Sequence, residues 1–193
     1  MAWLIGAASL PATIVFDPTL SALARGADLP QLVSFLAAVT WFGYGLIDVG
    51  LFLGLAVFAW WRADKARTIA ALYAAGVVTG AGLLDQVVKN VACRARPGAA
   101  TAGRFFAEFP CFAHGYALAS FPSGHATTAF AAAVIIALWY PRAALPALAL
   151  AMLVAVSRIF LGAHFPSDAL AGALLGSGVV IVAYRLLPRL REA

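Results

Sequence analysis

Runs of apolar residues long enough to cross a bilayer recur along this chain, and short polar segments separate them. A helix needs about 20 apolar residues to span a membrane, so 193 residues accommodate about six spans with short loops. Hydrophobic residues make up 64% of the chain and charged residues 11%, against about 45–50% and about 25% in soluble domains. This composition excludes a disordered tail, a fibrous repeat and an ordinary soluble enzyme. We therefore predict an all-α fold, a polytopic membrane bundle forming one domain over residues 1–193.

Six segments carry the predicted spans. The first, 1–16, is short and lacks the basic start of a secretory signal, so we interpret it as a short or truncated transmembrane helix rather than a cleaved peptide. Residues 31–41 are typical of an interfacial helix with Trp41 at headgroup depth. The other spans are expected at 43–61, 68–91, 124–140, 145–161 and 168–187.

Pairs of glycines four residues apart fall on three of the predicted spans. Small residues at this spacing let helices approach closely, either within one bundle or across a dimer face. We favour packing within the bundle, and the sequence leaves the oligomeric state open. The pairs are Gly50/Gly54, Gly76/Gly80 and Gly172/Gly176.

The distribution of basic residues predicts the orientation. With six spans, seven basic residues share a side with both termini and six lie on the other side, where three belong to the motifs below. The positive-inside rule then places the termini in the cytoplasm and the loop 93–120 outside an inner (plasma) membrane. The net charge of +5 is thus assigned to topology and to an anion site, and no nucleic-acid partner is expected.

Three polar clusters fall at the same, outer ends of the predicted spans. In the first, Lys89 and Arg96 are seven residues apart, so they share a face if the helix extends that far. Pro97 would then end the helix, and Asp85 is placed to pair with Lys89. Two cations on one face suit an anion, although basic side chains at a helix end also extend simply to reach the interface.

The second cluster, 121–125, directly precedes a predicted span. Gly124 lets a substrate approach the backbone, and the free N–H groups at a helix start attract phosphate. Ser123 supplies a hydroxyl donor or caps the helix. His125 can exchange a proton near neutral pH.

The third cluster, 157–168, joins the last two spans. Arg158 offers a planar fork for phosphate oxygens. Asp168 follows His164 by four residues; a carboxylate there can fix the imidazole tautomer and free the other nitrogen as a base or nucleophile. Asp168 is also a candidate N-cap. The three clusters together suit phosphoryl transfer, and because the sequence has no acidic cluster for magnesium we predict neither a metal nor another cofactor.

In this order, the patterns K-x6-R-P, P-S-G-H and S-R-x5-H-x3-D resemble the type 2 phosphatidic acid phosphatase superfamily, which also includes vanadium haloperoxidases. All eleven fixed positions match, and they lie within residues 89–168. The matching residues are Lys89, Arg96, Pro97, Pro122, Ser123, Gly124, His125, Ser157, Arg158, His164 and Asp168.

The resemblance implies a role for each matching polar residue. His164 would be the nucleophile that forms a phosphohistidine, Asp168 would orient it, and His125 would protonate the leaving oxygen. The implied protein is an integral membrane lipid phosphatase whose partners are membrane lipids and a lipid phosphate: undecaprenyl diphosphate, phosphatidylglycerophosphate, phosphatidic acid or lipid A. The phosphate oxygens would be held by Lys89, Arg96, Ser123, Gly124 and Arg158.

Three other functions are compatible with the same scaffold. A lipid phosphotransferase would use the same phosphohistidine and pass the phosphate to another lipid. A vanadate-dependent oxidase is disfavoured by six spans and a lipid-facing site. A non-enzymatic lipid-binding or transport protein is disfavoured by the presence of both motif histidines.

Four further residues stand apart from the motifs. Asp48 falls within a predicted span and needs a partner there. His114 is interpreted as a loop residue rather than a catalytic one. Two cysteines are too few for a disulfide scaffold or a zinc site. Cys93 and Cys111 would both lie outside, where a disulfide can persist, and the sequence leaves a bond and two free thiols equally open.

Overall fold

The computed structural model describes residues 2–109, 111 and 115–188. Within these residues the secondary structure is helical, with seven α-helices and no strand. The α-helices are α1 (Ala2–Gly26), α2 (Pro30–Val39), α3 (Gly45–Trp61), α4 (Lys65–Ala92), α5 (Gly124–Trp139), α6 (Ala144–Phe160) and α7 (Pro166–Leu186). Short 3-10 helices cover Thr40–Gly43, Gly115–Leu118 and Pro141–Ala143.

The first helix is longer than the sequence predicted. We expected it to end at residue 16, before Asp17 and Pro18, but α1 continues to Gly26 with Pro11 and Pro18 inside it. The prediction was wrong because Asp17 does not mark a helix end at the membrane surface. Its side chain is buried and paired with Arg94, which compensates its charge within the bundle.

Among the described residues, four helices are long and apolar enough to cross a membrane. A fifth span results if the two halves of a pair bent by 53° are counted together. That pair, Pro30–Gly43 and Gly45–Trp61, includes the helix expected at the interface, and α5 is apolar but shorter than the four. The all-helical membrane class is confirmed, whereas the number of six spans remains a prediction. The four helices are Ile5–Gly26, Lys65–Ala92, Pro141–Phe160 and Pro166–Leu186.

The core of the bundle lies around α5, which packs against α3, α4, α6 and α7. Its Ile135 is buried in one cluster with Phe52 of α3, Val78 of α4 and Val180 of α7. Most other members of this cluster are alanines, whose small side chains let the helix backbones approach one another.

Of the three glycine pairs, the one on α7 makes the predicted close contact. A Cβ on Gly176 would lie 2.0 Å from the carbonyl oxygen of Thr127, and one on Gly172 would lie 2.5 Å from that of Ser123. The backbones of α5 and α7 therefore touch. For the pairs on α3 and α4, no atom in the described part of the chain lies within 4 Å of such a Cβ, apart from the nearby backbone of the same helix, so the predicted packing was wrong there.

Candidate active site

The three sequence clusters converge at one end of the bundle. This site end comprises the end of α4, the start of α5, the end of α6, the start of α7 and the segments 93–97, 120–123 and 161–165. Three contacts join the clusters in pairs, so the convergence is direct. They run from Lys89 Nζ to Pro122 O (2.6 Å), from Arg96 Nη1 to His164 Nε2 (3.2 Å) and from Ser123 N to Asp168 O (2.9 Å).

Arg96 enters the site from a loop and not from the helix that its spacing from Lys89 suggested. Helix α4 ends at Ala92, because Cys93 adopts a left-handed conformation with φ of 43°. The Arg96 guanidinium carbon lies 3.6 Å from the centre of the Tyr116 ring. Three backbone carbonyls fix the guanidinium by accepting its N–H groups: Tyr116 O (2.8 Å), Ala119 O (3.0 Å) and Ala163 O (2.7 Å).

The ring of His164 is buried, and its hydrogen bonding defines its tautomer. Nδ1 lies 2.7 Å from the carbonyl oxygen of Ser120, and a carbonyl oxygen can only accept, so Nδ1 carries the proton. The lone pair of a neutral ring is then on Nε2, the atom that faces Arg96 Nη1. Burial lowers the pKa of His164 to about 4 despite the neighbouring Asp168. The ring is therefore neutral at neutral pH.

Asp168 lies beside His164, but its bonds go mainly to other groups. Its Oδ2 is 3.6 Å from His164 Nδ1, which is longer than a hydrogen bond. The same oxygen accepts from Ser120 Oγ at 2.6 Å and from Phe165 N at 2.8 Å. The carboxylate thus caps α7, as predicted, but from the third residue of the helix rather than from the N-cap. Its bonds to Ser120 and Phe165 therefore hold both chain segments that lie beside the His164 ring.

Two charged residues that sequence reasoning missed are bonded to this site. Arg94 Nη1 donates to Asp168 Oδ1 at 2.6 Å, and its Nη2 donates to Asp17 Oδ2 at 2.6 Å. All three side chains are at most 2% exposed. A signal was available for Asp17, because a carboxylate within an apolar run requires a partner.

Two buried donors point to an anion. Ser123 Oγ and Arg158 Nε are buried and have no hydrogen-bond partner among the described residues. Arg158 is held from its other side, where Nη1 donates to Thr40 Oγ1 at 2.9 Å. Leaving a buried donor unpaired costs about 1–3 kcal/mol, so a ligand with several acceptor oxygens suits this place.

Lys89 and Gly124 meet where the second cluster begins. Lys89 pairs with Asp85, which confirms the pairing expected from their spacing, and Asp85 also accepts from Thr127 Oγ1 at 3.1 Å. A Cβ on Gly124 would lie 3.2 Å from Asp85 Oδ2 and 3.5 Å from Lys89 Nζ. The missing side chain of Gly124 therefore leaves room for the ammonium group beside the start of α5.

His125 follows on the first turn of α5 and is half-buried. Its ring centre lies 6.2 Å from that of Tyr44. The 3-10 helix Thr40–Gly43 packs directly on this turn, because a Cβ on Gly43 would lie 2.8 Å from the carbonyl oxygen of His125. The segment between α2 and α3 therefore forms one wall beside His125.

The remaining sequence predictions concern the cysteines, Asp48, His114 and metal binding. Cys93 and Cys111 form a disulfide, which decides between the two open alternatives and ties the loop to the end of α4. Asp48 is buried, and its Oδ2 has no hydrogen-bond partner among the described residues. His114 lies outside the described residues. Within the described ranges, no group of three or more His, Cys, Asp or Glu side chains is placed to hold a metal ion.

Known proteins share both this sequence pattern and this fold. The sequence profile of the PAP2 superfamily matches residues 70–192. A lipid A 1-phosphatase of Rhizobium etli is 34% identical over 176 residues, which cover 84% of this chain and 73% of that protein. The chain belongs to the PAP2 superfamily and is a membrane phosphoric ester hydrolase.

Two crystal structures have the same fold. The PAP2-type phosphatidylglycerolphosphate phosphatase of Bacillus subtilis superimposes with a TM-score of 0.71 at 24% identity, over 95% of this chain and 91% of that one. LpxE of Aquifex aeolicus superimposes with a TM-score of 0.67 at 23% identity, over 88% of this chain and 95% of that one. At these identities the superpositions establish the fold alone.

Proposed function

We propose that this protein hydrolyses the phosphate ester or diphosphate of a membrane lipid through a phosphohistidine on His164. The observation that carries the proposal is the tautomer of that ring. The Ser120 carbonyl accepts a hydrogen bond from Nδ1–H, and the Nε2 lone pair faces the Arg96 guanidinium. A neutral imidazole aimed at a cationic anion site has the arrangement that a nucleophile for phosphorus requires.

The phosphate would be held by cations and by the start of a helix. Lys89, Arg96 and Arg158 supply positive charge, and the unpartnered donors Ser123 Oγ and Arg158 Nε would bond phosphate oxygens. The N–H of Gly124 lies at the positive end of α5. Donors fixed before the reaction stabilise charge as it develops on the transferring group.

The reaction would proceed in two balanced steps. The Nε2 lone pair of His164 forms a bond to phosphorus while the bond from phosphorus to the lipid oxygen breaks, and His125 gives its proton to that oxygen. Water then attacks the phosphohistidine, His125 takes a proton from the water, and inorganic phosphate leaves. Asp168 stabilises the positive charge that the His164 ring carries in the intermediate.

For the substrate, we propose a lipid whose tail stays in the bilayer while its phosphate reaches the site end. The similarity to a lipid A 1-phosphatase supports lipid A as the first of the four candidates. We also propose that residues 1–193 act as one domain, with the site outside and the termini in the cytoplasm. The disulfide beside the site supports this orientation, because disulfides persist in oxidising compartments.

The test is phosphate release by the detergent-purified protein, with EDTA present, from lipid A, phosphatidylglycerophosphate, phosphatidic acid and undecaprenyl diphosphate. We expect release that the His164→Ala variant lacks, and the ranking of the four lipids identifies the substrate. Consumption of a lipid without matching phosphate release would instead indicate a phosphotransferase. A folded protein that binds these lipids and converts none of them would contradict the proposal.

A further inference from the structure

Helix α1 turns a polar face toward the site end. Asp17, Ser21 and Arg25 follow one another at intervals of four residues, which places them on one side of the helix. Asp17 accepts from the backbone N–H of Ser167 at 2.9 Å as well as from Arg94, and Arg25 Nη1 reaches the carbonyl of Pro97 at 3.4 Å. An outer helix of a bundle thus contacts both segments that carry the third and first motifs.

We propose that Asp17 and Arg94 are positioning residues for Asp168, and that α1 is in this way part of the catalytic apparatus. Arg94 binds Oδ1 of Asp168. The other oxygen, Oδ2, is then free to accept from Ser120 Oγ and the Phe165 N–H and to face His164. This inference rests on the function proposed above. The inference goes beyond that function because neither Asp17 nor Arg94 belongs to the motifs.

The chemistry of the three groups explains why Asp17 is required. The guanidinium of Arg94 stands between two carboxylates, and each takes a different terminal nitrogen. With one carboxylate alone, the planar fork would turn to bind it through both nitrogens, as guanidinium groups prefer. Asp17 occupies the second nitrogen and therefore fixes the angle at which Arg94 approaches Asp168.

Aromatic rings restrict the same guanidinium further. The rings of Phe105 and Phe165 lie 4.6 and 4.5 Å from its central carbon, within the range of cation–π attraction. Arg94 Nη1 also donates to Ser167 Oγ at 2.7 Å. A buried cation with this many partners has one orientation, as a residue that positions another group must.

The position of α1 in the sequence separates the inference from the superfamily match. The superfamily match begins at residue 70, so Asp17 lies outside the matched region while Arg94 lies within it. The pair spans 77 residues. A contribution to catalysis from α1 is therefore not contained in the superfamily assignment.

The experiment uses the full-length protein in detergent and four variants: Asp17→Asn, Arg94→Lys, Arg94→Met and the double variant Asp17→Asn/Arg94→Met. Arg25→Gln is the matched control, because it lies on the same face of α1 and bonds only backbone carbonyls. For each protein we would measure thermal unfolding, kcat, KM and inhibition by inorganic phosphate. Inhibition by phosphate reports whether the anion site itself is intact.

We expect Asp17→Asn and Arg94→Lys to lower kcat about 10–100-fold, the range found when the hydrogen-bond partner that orients a metal-binding side chain is removed. KM and phosphate inhibition should stay within about twofold, because the phosphate-holding cations are untouched, and Arg25→Gln should match wild type. The double variant removes one carboxylate along with the guanidinium, so it should unfold at a higher temperature than Arg94→Met while its kcat stays as low.

Three results would overturn the inference. One is wild-type kcat in folded Asp17→Asn. Another is recovery of kcat in the double variant, which would mean that Arg94 only neutralises charge. The third is loss of phosphate inhibition in step with kcat, which would mean general disruption of the site. If Arg94→Met does not fold, the kcat values of Asp17→Asn and Arg94→Lys alone test the inference. Absence of phosphate release by the wild-type protein would instead contradict the proposed function.

Discussion

The two ends of the bundle each hold an ion pair between neighbouring helix turns, but the pairs differ in burial. At the site end, the side chains of Lys89 and Asp85 are 7% and 1% exposed. At the opposite end, those of Arg67 and Asp64 are 65% and 33% exposed. The opposite end comprises the end of α3, the start of α4, the end of α5, the start of α6 and the end of α7. Both pairs join an acidic residue to a basic one about one helix turn later in the chain. Their surroundings decide what each is for.

The exposed pair performs a local task. Asp64 caps α4 by accepting from the backbone N–H of Arg67 at 3.0 Å, and water screens the charges. The buried pair lacks that screening, so its charges are compensated by further partners, Pro122 O for Lys89 and Thr127 Oγ1 for Asp85. Burial of charge is costly unless each ion is fully bonded, and this pair and the Asp17–Arg94–Asp168 set both lie where the motifs converge.

The largest contrast between the two ends should appear in catalysis. Replacing either motif histidine, as His164→Ala or His125→Ala, should lower phosphate release by about 10⁴-fold or more, since each removes a group that reacts directly. Both variants should still insert and fold, since neither removes a buried charge. The measurement is turnover of the purified variants, with circular dichroism as the control for folding. Turnover near that of wild type in either variant would exclude its assigned role.

The two ion pairs provide a matched test of stability. Lys89→Met leaves Asp85 buried without its cation and should destabilise the protein by about 3–5 kcal/mol. Arg67→Met removes an exposed partner and should cost about 0–1 kcal/mol. Denaturant unfolding in detergent measures both values. Equal losses at the two ends would show that burial does not distinguish the pairs.

The glycine pairs offer a smaller effect of the same kind. Gly176→Ala places a Cβ against the Thr127 carbonyl, which must push α5 and α7 apart at a cost of about 1–3 kcal/mol for overpacking. Gly54→Ala on α3 meets open space and should be neutral or slightly stabilising, since alanine favours the helix. Thermal unfolding of the two variants gives the comparison. A neutral Gly176→Ala would contradict the close approach of these helices.

The smallest expected effect on catalysis concerns pH. With its pKa lowered to about 4, as against 6.5 ordinarily, the His164 ring at pH 5 is only about one-tenth protonated, so its nucleophilic form is nearly constant from there upward. The folded protein binds the His164 proton less tightly than the unfolded chain does. The stability that the neutral ring contributes is therefore fully present above pH 6.5 and is lost as the pH falls toward 4.

This titration can be followed by nitrogen NMR of labelled histidine in a variant that keeps only His164. A midpoint near 4 is expected for the folded protein. A midpoint near 6.5 would mean that the ring is not shielded from water, and it would remove the argument for a permanently neutral nucleophile.

The helix limits were predicted best where local sequence patterns determine where a helix begins and ends. Most span limits were predicted within a few residues, because apolar runs and residues such as Pro141 and Pro166 define helix ends locally. The motif residues also converge as their order suggested. The face that Lys89 and Arg96 would share required the helix to extend to Arg96; it does not, and nothing in the sequence pattern reveals that Cys93 turns left-handed.

The missed residues depend on contacts between distant parts of the chain. Asp17 was interpreted as the end of a helix, since its partner lies 77 residues away and the docking of α1 decides whether they meet. Arg94 was counted for topology only, because its alternation with Arg96 gives no indication of which arginine faces the phosphate site and which one faces Asp168. Pairings of this kind follow from tertiary packing rather than from local pattern.

The backbone contact between α5 and α7 bears on how the protein responds to its lipid surroundings. His125 lies on the first turn of α5, and His164 lies two residues before the start of α7. Gly172 and Gly176 let the two helix backbones touch without intervening side chains. A thicker or thinner bilayer changes the tilt of a transmembrane helix. Two helices joined at this distance will tilt as one body, so the spacing of the two histidines will be insulated from the thickness of the membrane that surrounds them.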